Sequence, residues 1–166
     1  MISRLLLACA AVVCSLPAAA SDRTTIDSLV AQHARTHGVP EALVHRVIRR
    51  ESNYDPRALS KGNFGLMQIR YATARGMGYR GSPSGLLDAN TNLTYAVPYL
   101  ANAYKVAGGN PDRAVSLYAG GYYYVAKRKG LLHALGTAVA DPVSTGSISA
   151  AGSALRSSAF TSANAQ

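Results

Sequence analysis

Apolar residues recur every three or four positions through much of this 166-residue sequence, which is the spacing of amphipathic helices. Residues 24–37 place four of them on one helical face, namely Ile26, Leu29, Val30 and Ala34. Gly38 is expected to end this helix, because glycine readily takes the left-handed conformation that closes a helix. Pro40 suits the first position of a second helix, whose predicted apolar face consists of Leu43, Val44, Val47 and Ile48.

Later helices are predicted between segments rich in glycine, asparagine and proline. The helical stretches are a short one within residues 70–78, then 92–107, 111–118 and about 131–139. Pro98 lies inside the longest of them and predicts a kink or a broken first turn. Residues 53–65 are predicted to be a loop, and no segment shows a convincing strand alternation. The predicted fold class is therefore mainly α.

Glu51 lies at the end of the second predicted helix and is one of only two glutamates in the chain. It follows Val44, Val47 and Ile48 at spacings of seven, four and three residues, so it should share their apolar face. Burial disfavours the charged form of a carboxyl group and raises its pKa, which suits a general acid. The alternative from placement alone is a salt bridge with a neighbouring arginine.

The two ends of the chain differ in composition from its middle. Residues 1–20 combine a basic start, an apolar run and closing alanines, which predicts a secretory signal peptide cut after Ala20. The apolar run is short for a membrane anchor, and a lipoprotein signal ending at Cys9 would leave a still shorter run. Residues 21–135 should form the domain, and the Ala/Ser-rich residues 136–166 a disordered tail. The mature protein is expected in the periplasm or outside the cell, with no stable membrane insertion.

The formal charge of +9 and the pI of about 9.9 indicate acidic partners. A nucleic acid, an anionic lipid and an anionic cell-wall polymer would all qualify, and export disfavours the nucleic acid. Both cysteines, Cys9 and Cys14, fall within the signal peptide, so the mature domain should have no thiol chemistry. His33 and His37 have i, i+4 spacing but no HExxH arrangement, so they are predicted to be surface residues. Neither a metal site nor a cofactor is predicted.

Four short motifs follow one another in a characteristic order and spacing along the chain. They are ES at residues 51–52, GLMQI at 65–69, NLTYAVPYL at 92–100 and LYAGGY at 117–122. In this order and spacing the chain resembles the lytic transglycosylases of the soluble-transglycosylase (SLT) type, relatives of goose-type lysozyme. The resemblance covers roughly residues 25–130. It implies a compact, lysozyme-like helical domain whose groove binds peptidoglycan glycan strands.

The resemblance also implies a reaction and its residues. The enzyme would cleave the β-1,4 bond between N-acetylmuramic acid and N-acetylglucosamine and leave a 1,6-anhydro ring. Glu51 would act first as acid and then as base, and Ser52 would bind substrate beside it. Met67 and Gln68 would line the groove, with Gln68 hydrogen-bonding the sugar. Tyr118 would orient Glu51 or stabilise charge near it.

Two positions depart from the family pattern. Ala119 replaces an asparagine that follows the tyrosine, which removes a polar group near the substrate, and Ala96 replaces a glycine in the third motif. Tyr122, Tyr123 and Tyr124 offer aromatic faces to sugar rings, and one of the three, with Tyr122 as the candidate, is expected to face the groove.

Three functions remain open from the sequence. A hydrolytic muramidase, or a chitin-acting relative, would normally pair two carboxylates, but the nearest candidate, Asp55, precedes a proline and is predicted to form a turn. A non-catalytic peptidoglycan-binding protein on the same fold is the second alternative to a transglycosylase. Small members of the resembled family open the wall for secretion or envelope-assembly machinery, which makes such machinery a candidate partner.

Overall fold

The computed structural model describes residues 18–135, with side chains from residue 22 onward. Six α-helices occur in this region: α1 Ala18–His37, α2 Glu41–Glu51, α3 Tyr71–Gly76, α4 Ala89–Val106, α5 Pro111–Gly120 and α6 Tyr123–Arg128. Two short 3-10 helices, Pro83–Leu87 and Leu132–Ala134, complete the helical elements. The predicted tail and the predicted signal peptide up to residue 17 lie outside the described residues. The mainly α fold class is confirmed.

The first two helices follow the predicted pattern closely. Gly38 has a positive φ of 64° and ends α1 in a Schellman motif. In this motif the amide of Val39 donates to the carbonyl of Ala34 at 3.1 Å, and that of Gly38 donates to Arg35 at 3.3 Å. Pro40 precedes α2 with ψ at 129° instead of opening it, so the helix begins one residue later than predicted.

Helix α4 runs through the centre of the domain and packs against α1 and α5. It begins at Ala89, three residues before the predicted start, because Asp88 caps it by accepting a hydrogen bond of 2.7 Å from the amide of Thr91. The same bond lowers the pKa of Asp88. The helix continues through Pro98, so the predicted broken first turn is wrong. Asn110 caps α5 by accepting a hydrogen bond of 2.9 Å from the amide of Arg113.

A small antiparallel sheet lies between α2 and α3, and its first two strands fall within residues 53–65, which were predicted to be a loop. Its strands are β1 Leu59–Ser60, β2 Asn63–Phe64 and β3 Ile69–Arg70, in the order β1-β2-β3. Leu59 pairs with Phe64, and Phe64 pairs in turn with Ile69. Strands of two residues are too short to show an alternating pattern, which explains why the sequence analysis missed them.

The hydrophobic core joins the helices to the segment that follows β2. The fully buried larger side chains include Val30, Val44, Val47, Ile48, Leu66, Met67, Leu86, Leu93, Val97, Leu100 and Val106. Leu66 and Met67 belong to the GLMQI motif, so that motif is anchored in the core beneath the sheet. This anchoring places the end of α2 beside the motif and forms the candidate site.

Candidate active site

Glu51 is the last residue of α2 and lies at the edge of its buried face. Its side chain is 23% exposed, whereas the preceding Val47 and Ile48 are completely buried. Burial raises the pKa of Glu51, and the nearby Arg50, whose Nε lies 3.7 Å from the carboxylate, opposes that shift only in part. The salt bridge considered from the sequence therefore exists, but burial outweighs it in the effect on the pKa of Glu51.

Ser52 ties the end of α2 to the GLMQI motif. Its hydroxyl donates to the carbonyl of Leu66 at 2.8 Å and also lies 3.3 Å from the carbonyl of Ile48. The backbone amide of Ser52 donates to that same Ile48 carbonyl. Ser52 therefore holds Glu51 in a fixed position relative to the motif, and its hydroxyl oxygen can still accept a hydrogen bond.

Gly65 and Gln68 form a tight turn in the GLMQI motif. Gly65 has a φ of 69° and Gln68 a φ of 48°, both in the left-handed region. The side-chain amide nitrogen of Gln68 donates to the carbonyls of Ala58 and Gly65 at 2.9 and 3.0 Å. This nitrogen therefore holds the turn together, and the amide oxygen is the group that remains for a ligand.

Replacing Gly65 by alanine is expected to cost about 2–4 kcal/mol, measured as the shift in urea midpoint at constant m-value. A Cβ at this position would clash with the carbonyl oxygen of Leu86 and would lie 2.5 Å from Nδ2 of Asn92. Gly62 is the matched control, because its φ is 78° and a Cβ there would meet nothing within 4 Å. Equal midpoint shifts for the two alanine variants would contradict the steric explanation.

Asn92, in the first turns of α4, is completely buried and holds the turn by hydrogen bonds to its backbone and to neighbouring backbone groups. Its side-chain oxygen accepts from the amide of Met67 at 2.9 Å. Its side-chain nitrogen donates to the carbonyls of Phe64 and Leu86 at 2.7 and 2.9 Å. From the sequence alone, Asn92 is identified only as the first residue of the NLTYAVPYL motif. A buried polar residue inside a run of helical core positions is the signal that could have identified it.

Tyr118, on α5, lies beneath Met67 and close to Glu51. Its hydroxyl donates to the carbonyl of Met67 at 2.8 Å, so the proton of this phenol is engaged by backbone and does not contact Glu51. Burial, and then the charge of Glu51, raise the pKa of Tyr118 well above its usual value, so it stays neutral. Tyr99 packs edge-on against it with 5.4 Å between ring centroids.

Two residues expected to line the groove are buried instead. The side chain of Met67 belongs to the core, and its backbone amide and carbonyl are bonded to the buried Asn92 and Tyr118. Tyr122 is 2% exposed, its ring lies 4.7 Å from that of Tyr99, and its hydroxyl accepts from Asn102. The predicted sugar-stacking role of Tyr122 is therefore corrected, because its ring offers no free face. Of the three adjacent tyrosines, Tyr124 is the one exposed to solvent, at 55%.

Apart from the exposed Asp22 near the start of α1, the other carboxylates of the described region are engaged elsewhere. Asp55 accepts a hydrogen bond of 2.8 Å from the amide of Arg57, which confirms the turn predicted for it. Three others lie within ion-pair distance of a basic side chain, namely Asp27 with Arg23, Glu41 with His45 and Asp112 with Arg46. Asp88 accepts the capping hydrogen bond at the start of α4. Glu51 is thus a half-buried carboxyl group whose charged neighbour is an arginine.

Comparison with known families agrees with this arrangement. The family model described as "Transglycosylase SLT domain" matches residues 28–138, about two thirds of the chain. The chain belongs to this family. The match runs from the second half of α1 past the second 3-10 helix and includes every residue of the candidate site. The predicted SLT relationship is therefore confirmed, and peptidoglycan is the substrate class of such a domain.

Within residues 18–135, none of the helices combines the length and the apolar character that crossing a bilayer requires. The same part of the chain gathers no set of three or more His, Cys, Asp or Glu side chains around one point.

A surface depression of about 500 Å³ lies on the other side of α2 from Glu51 and is lined by Arg23, Asp27, Glu41, Ala42, His45, Arg46, Arg49 and Tyr54. Arg23 lies 3.5 Å from the ring centroid of Tyr54, and the hydroxyl of Tyr54 is 3.0 Å from Nδ1 of His45. Tyr54 has a φ of 69°, which a non-glycine residue rarely adopts. These contacts hold the loop that follows Glu51, and Glu51 itself does not line the depression.

Proposed function

We propose that this SLT domain is a peptidoglycan lytic transglycosylase that cleaves the bond between N-acetylmuramic acid and N-acetylglucosamine. The observation that carries the proposal is Glu51, a half-buried carboxyl group with a raised pKa in a domain of this family. A raised pKa enlarges the protonated fraction of a carboxyl group at a given pH, and the protonated form can donate its proton to the oxygen of a glycosidic bond.

The proposed reaction uses Glu51 twice. The protonated carboxyl gives its proton to the glycosidic oxygen as the bond from that oxygen to C1 of the muramyl sugar breaks. The resulting carboxylate takes the proton from the 6-hydroxyl of the same sugar while O6 bonds to C1. The products are a free 4-hydroxyl and a 1,6-anhydro ring, no water is consumed, and Glu51 regains its proton.

The single carboxyl group supports this route over hydrolysis. Glycosidases that use water normally place two carboxylates around the scissile bond, one as acid and the other as base or nucleophile. Asp55, the nearest carboxylate in sequence, holds its own turn instead. An internal nucleophile on the substrate removes the need for the second carboxylate.

Substrate contacts are proposed for groups that the fold leaves available. Ser52 would accept a hydrogen bond from the sugar, and the side-chain oxygen of Gln68 would accept from a hydroxyl or amide N–H. Met67 would contribute indirectly, as part of the backbone segment that Tyr118 and Asn92 hold in position. Tyr118 would keep this segment in place below Glu51.

We place the enzyme in the periplasm or outside the cell, after removal of the predicted signal peptide at residues 1–20. That removal takes away Arg4 and leaves 16 basic against 8 acidic side chains. The resulting positive charge favours association with the anionic peptidoglycan mesh. Secretion or envelope-assembly machinery is the proposed setting for its action.

The deciding experiment is mass spectrometry of the products that the purified domain releases from peptidoglycan. The proposal expects 1,6-anhydromuramyl ends, which are lighter by one water than the reducing ends left by hydrolysis. Reducing muramyl ends alone would identify a hydrolytic muramidase. Binding to peptidoglycan without product release would identify a non-catalytic wall-binding protein.

A further inference from the structure

Helix α6 has a buried side and an exposed side of different chemical character. Tyr122, directly before the helix, and Ala126 within it are buried, so their side of α6 packs against the core. Tyr124 is followed by Lys127 and Arg128 at spacings of three and four residues, and all three are exposed on the other side of the helix. These three residues, which we call the α6 face, combine an aromatic ring with two basic side chains.

The α6 face also carries exposed aromatic surface. Tyr124 is 55% exposed, a fraction that only one other large hydrophobic residue of the described region, Leu59, exceeds. The ring of Tyr123 packs edge-on against that of Tyr124, with 5.2 Å between their centroids. Leu131 is only partly buried, and its amide donates to the carbonyl of Ala126 at 2.9 Å, which holds it at the end of α6. An aromatic pair and a leucine thus lie beside the basic residues.

Nearby carboxylates do not balance the positive charges of this surface. The sequence contains no aspartate or glutamate between Asp112 and Asp141. Asp112 itself forms an ion pair with Arg46, whose Nη1 lies 2.6 Å from its carboxylate. Of the side chains that the structure describes, no carboxylate lies within ion-pair distance of the two basic residues of the α6 face. Their charge is therefore available to a partner.

The last turn of α4 contributes a third basic side chain. Nζ of Lys129 donates to the carbonyl of Val106 at 2.7 Å, which joins the end of α6 to the end of α4. Lys105 lies in that last turn, is exposed, and has no carboxylate within ion-pair distance among the described residues. Because the hydrogen bond already engages Lys129, the groups left for a partner are Lys105 and the two basic residues of the α6 face.

We propose that the α6 face and Lys105 dock the protein reversibly onto an anionic phospholipid surface. Such a surface presents negative headgroups above an apolar layer, so it matches basic side chains that lie beside exposed aromatic rings. Charge alone would also suit the anionic peptidoglycan, but a glycan strand offers no apolar layer in which the rings and Leu131 could be buried. The docking is a surface contact without a helix crossing the bilayer, and it does not depend on the reaction assigned to Glu51.

The test is cosedimentation of the chain from residue 21 onward with vesicles at about 0.15 M salt, where charges farther than about 8 Å from the surface are largely screened. One set of vesicles contains equal parts of phosphatidylglycerol and phosphatidylcholine, and the other contains phosphatidylcholine alone. The wild type is expected to bind the anionic vesicles. The Lys127→Gln/Arg128→Gln variant should bind them about 25-fold more weakly, because each basic side chain at such a surface contributes about fivefold. Binding to the neutral vesicles should be weak in both proteins.

Further variants separate the contributions of charge, ring and helix. The Lys105→Gln variant, which leaves α6 unaltered, should bind the anionic vesicles about fivefold more weakly. The Tyr124→Ser variant keeps every charge and should still bind about threefold more weakly, because its ring no longer enters the interface. The Arg35→Gln variant is the matched control and should bind within about twofold of the wild type. Arg35 is exposed near the other end of α4, because the neighbouring His33 hydrogen-bonds Asn90 at 3.0 Å.

Binding to insoluble peptidoglycan distinguishes the two anionic partners. The Lys127→Gln/Arg128→Gln variant should bind it within about twofold of the wild type, since exposed charges contribute little there. An equal loss on peptidoglycan and on vesicles would overturn the inference, as would equal vesicle binding by this variant and the wild type, or no vesicle binding by the wild type. All these variants should release products from peptidoglycan at the wild-type rate, so failure of the docking inference leaves the proposed function standing.

Discussion

The Glu51→Gln variant is expected to release anhydromuramyl products about 10²–10⁴-fold more slowly than the wild type, which is the typical contribution of one acid–base group. The loss should lie toward the upper end of this range. The large loss follows from the proposal that this group both donates and removes a proton. Glutamine has nearly the same size but can do neither. The rate is measured by chromatographic quantification of anhydromuramyl ends at saturating peptidoglycan.

Glu41 provides the matched control, because it is the other glutamate of the chain and opens the same helix. Its carboxylate is exposed and lies 3.5 Å from the imidazole of His45, away from the candidate site. The Glu41→Gln variant should retain wild-type activity. Unchanged product release by the Glu51→Gln variant would remove Glu51 from the mechanism.

The pH dependence of activity and stability should follow from the raised pKa of Glu51. The first step needs the protonated acid, so kcat/KM should fall as pH rises through that pKa. Because the folded state holds this proton more tightly than the unfolded state, the associated stability is fully present below the unfolded pKa and is lost as pH rises through the raised one. The Glu51→Gln variant has no carboxyl group at this position, so it should not lose stability in this way as pH rises.

Thermal melting of the two proteins at pH 4 and pH 8 measures this effect. The Glu51→Gln variant should gain in melting temperature relative to the wild type as pH increases. A difference between the two that stays constant over this range would show that burial does not perturb the carboxyl group. Such a result would also weaken its assignment as the acid.

The Asn92→Ala variant is expected to lose about 3–5 kcal/mol of unfolding free energy. The substitution leaves three buried backbone groups without partners, and each unsatisfied group costs about 1–3 kcal/mol. The groups are the amide of Met67 and the carbonyls of Phe64 and Leu86. Urea unfolding followed by circular dichroism gives the free energy at constant m-value.

Asn90, two residues earlier, is the control for this substitution. Its side chain is exposed and pairs with Nε2 of His33, so the Asn90→Ala variant should change stability by no more than about 0.5 kcal/mol. A loss below about 1 kcal/mol for the Asn92→Ala variant would contradict the role given to Asn92, because one unsatisfied buried group alone should cost that much.

Much of the helical framework could be predicted from local sequence. The spacing of apolar residues predicted α1 and α2, and Gly38 marked the end of α1. The helical phase also predicted that Glu51 lies at the edge of a buried face, because a regular helix determines which residues share a side. The order of four short motifs identified the family.

The sequence by itself thus determined helices α1 to α5, the inward position of Glu51 and the family, because these depend on residues close together in the chain or on motif order. It did not predict α6, and the helix expected at about 131–139 is a 3-10 helix at Leu132–Ala134 in the described part of the chain. Only the tertiary structure decided that Met67 and Tyr122 are buried, and that Asn92 supports the turn. Those outcomes depend on contacts between distant segments, such as the bond between Tyr118 and Met67 across 51 positions. Local periodicity carries no information about which buried groups meet after the helices pack.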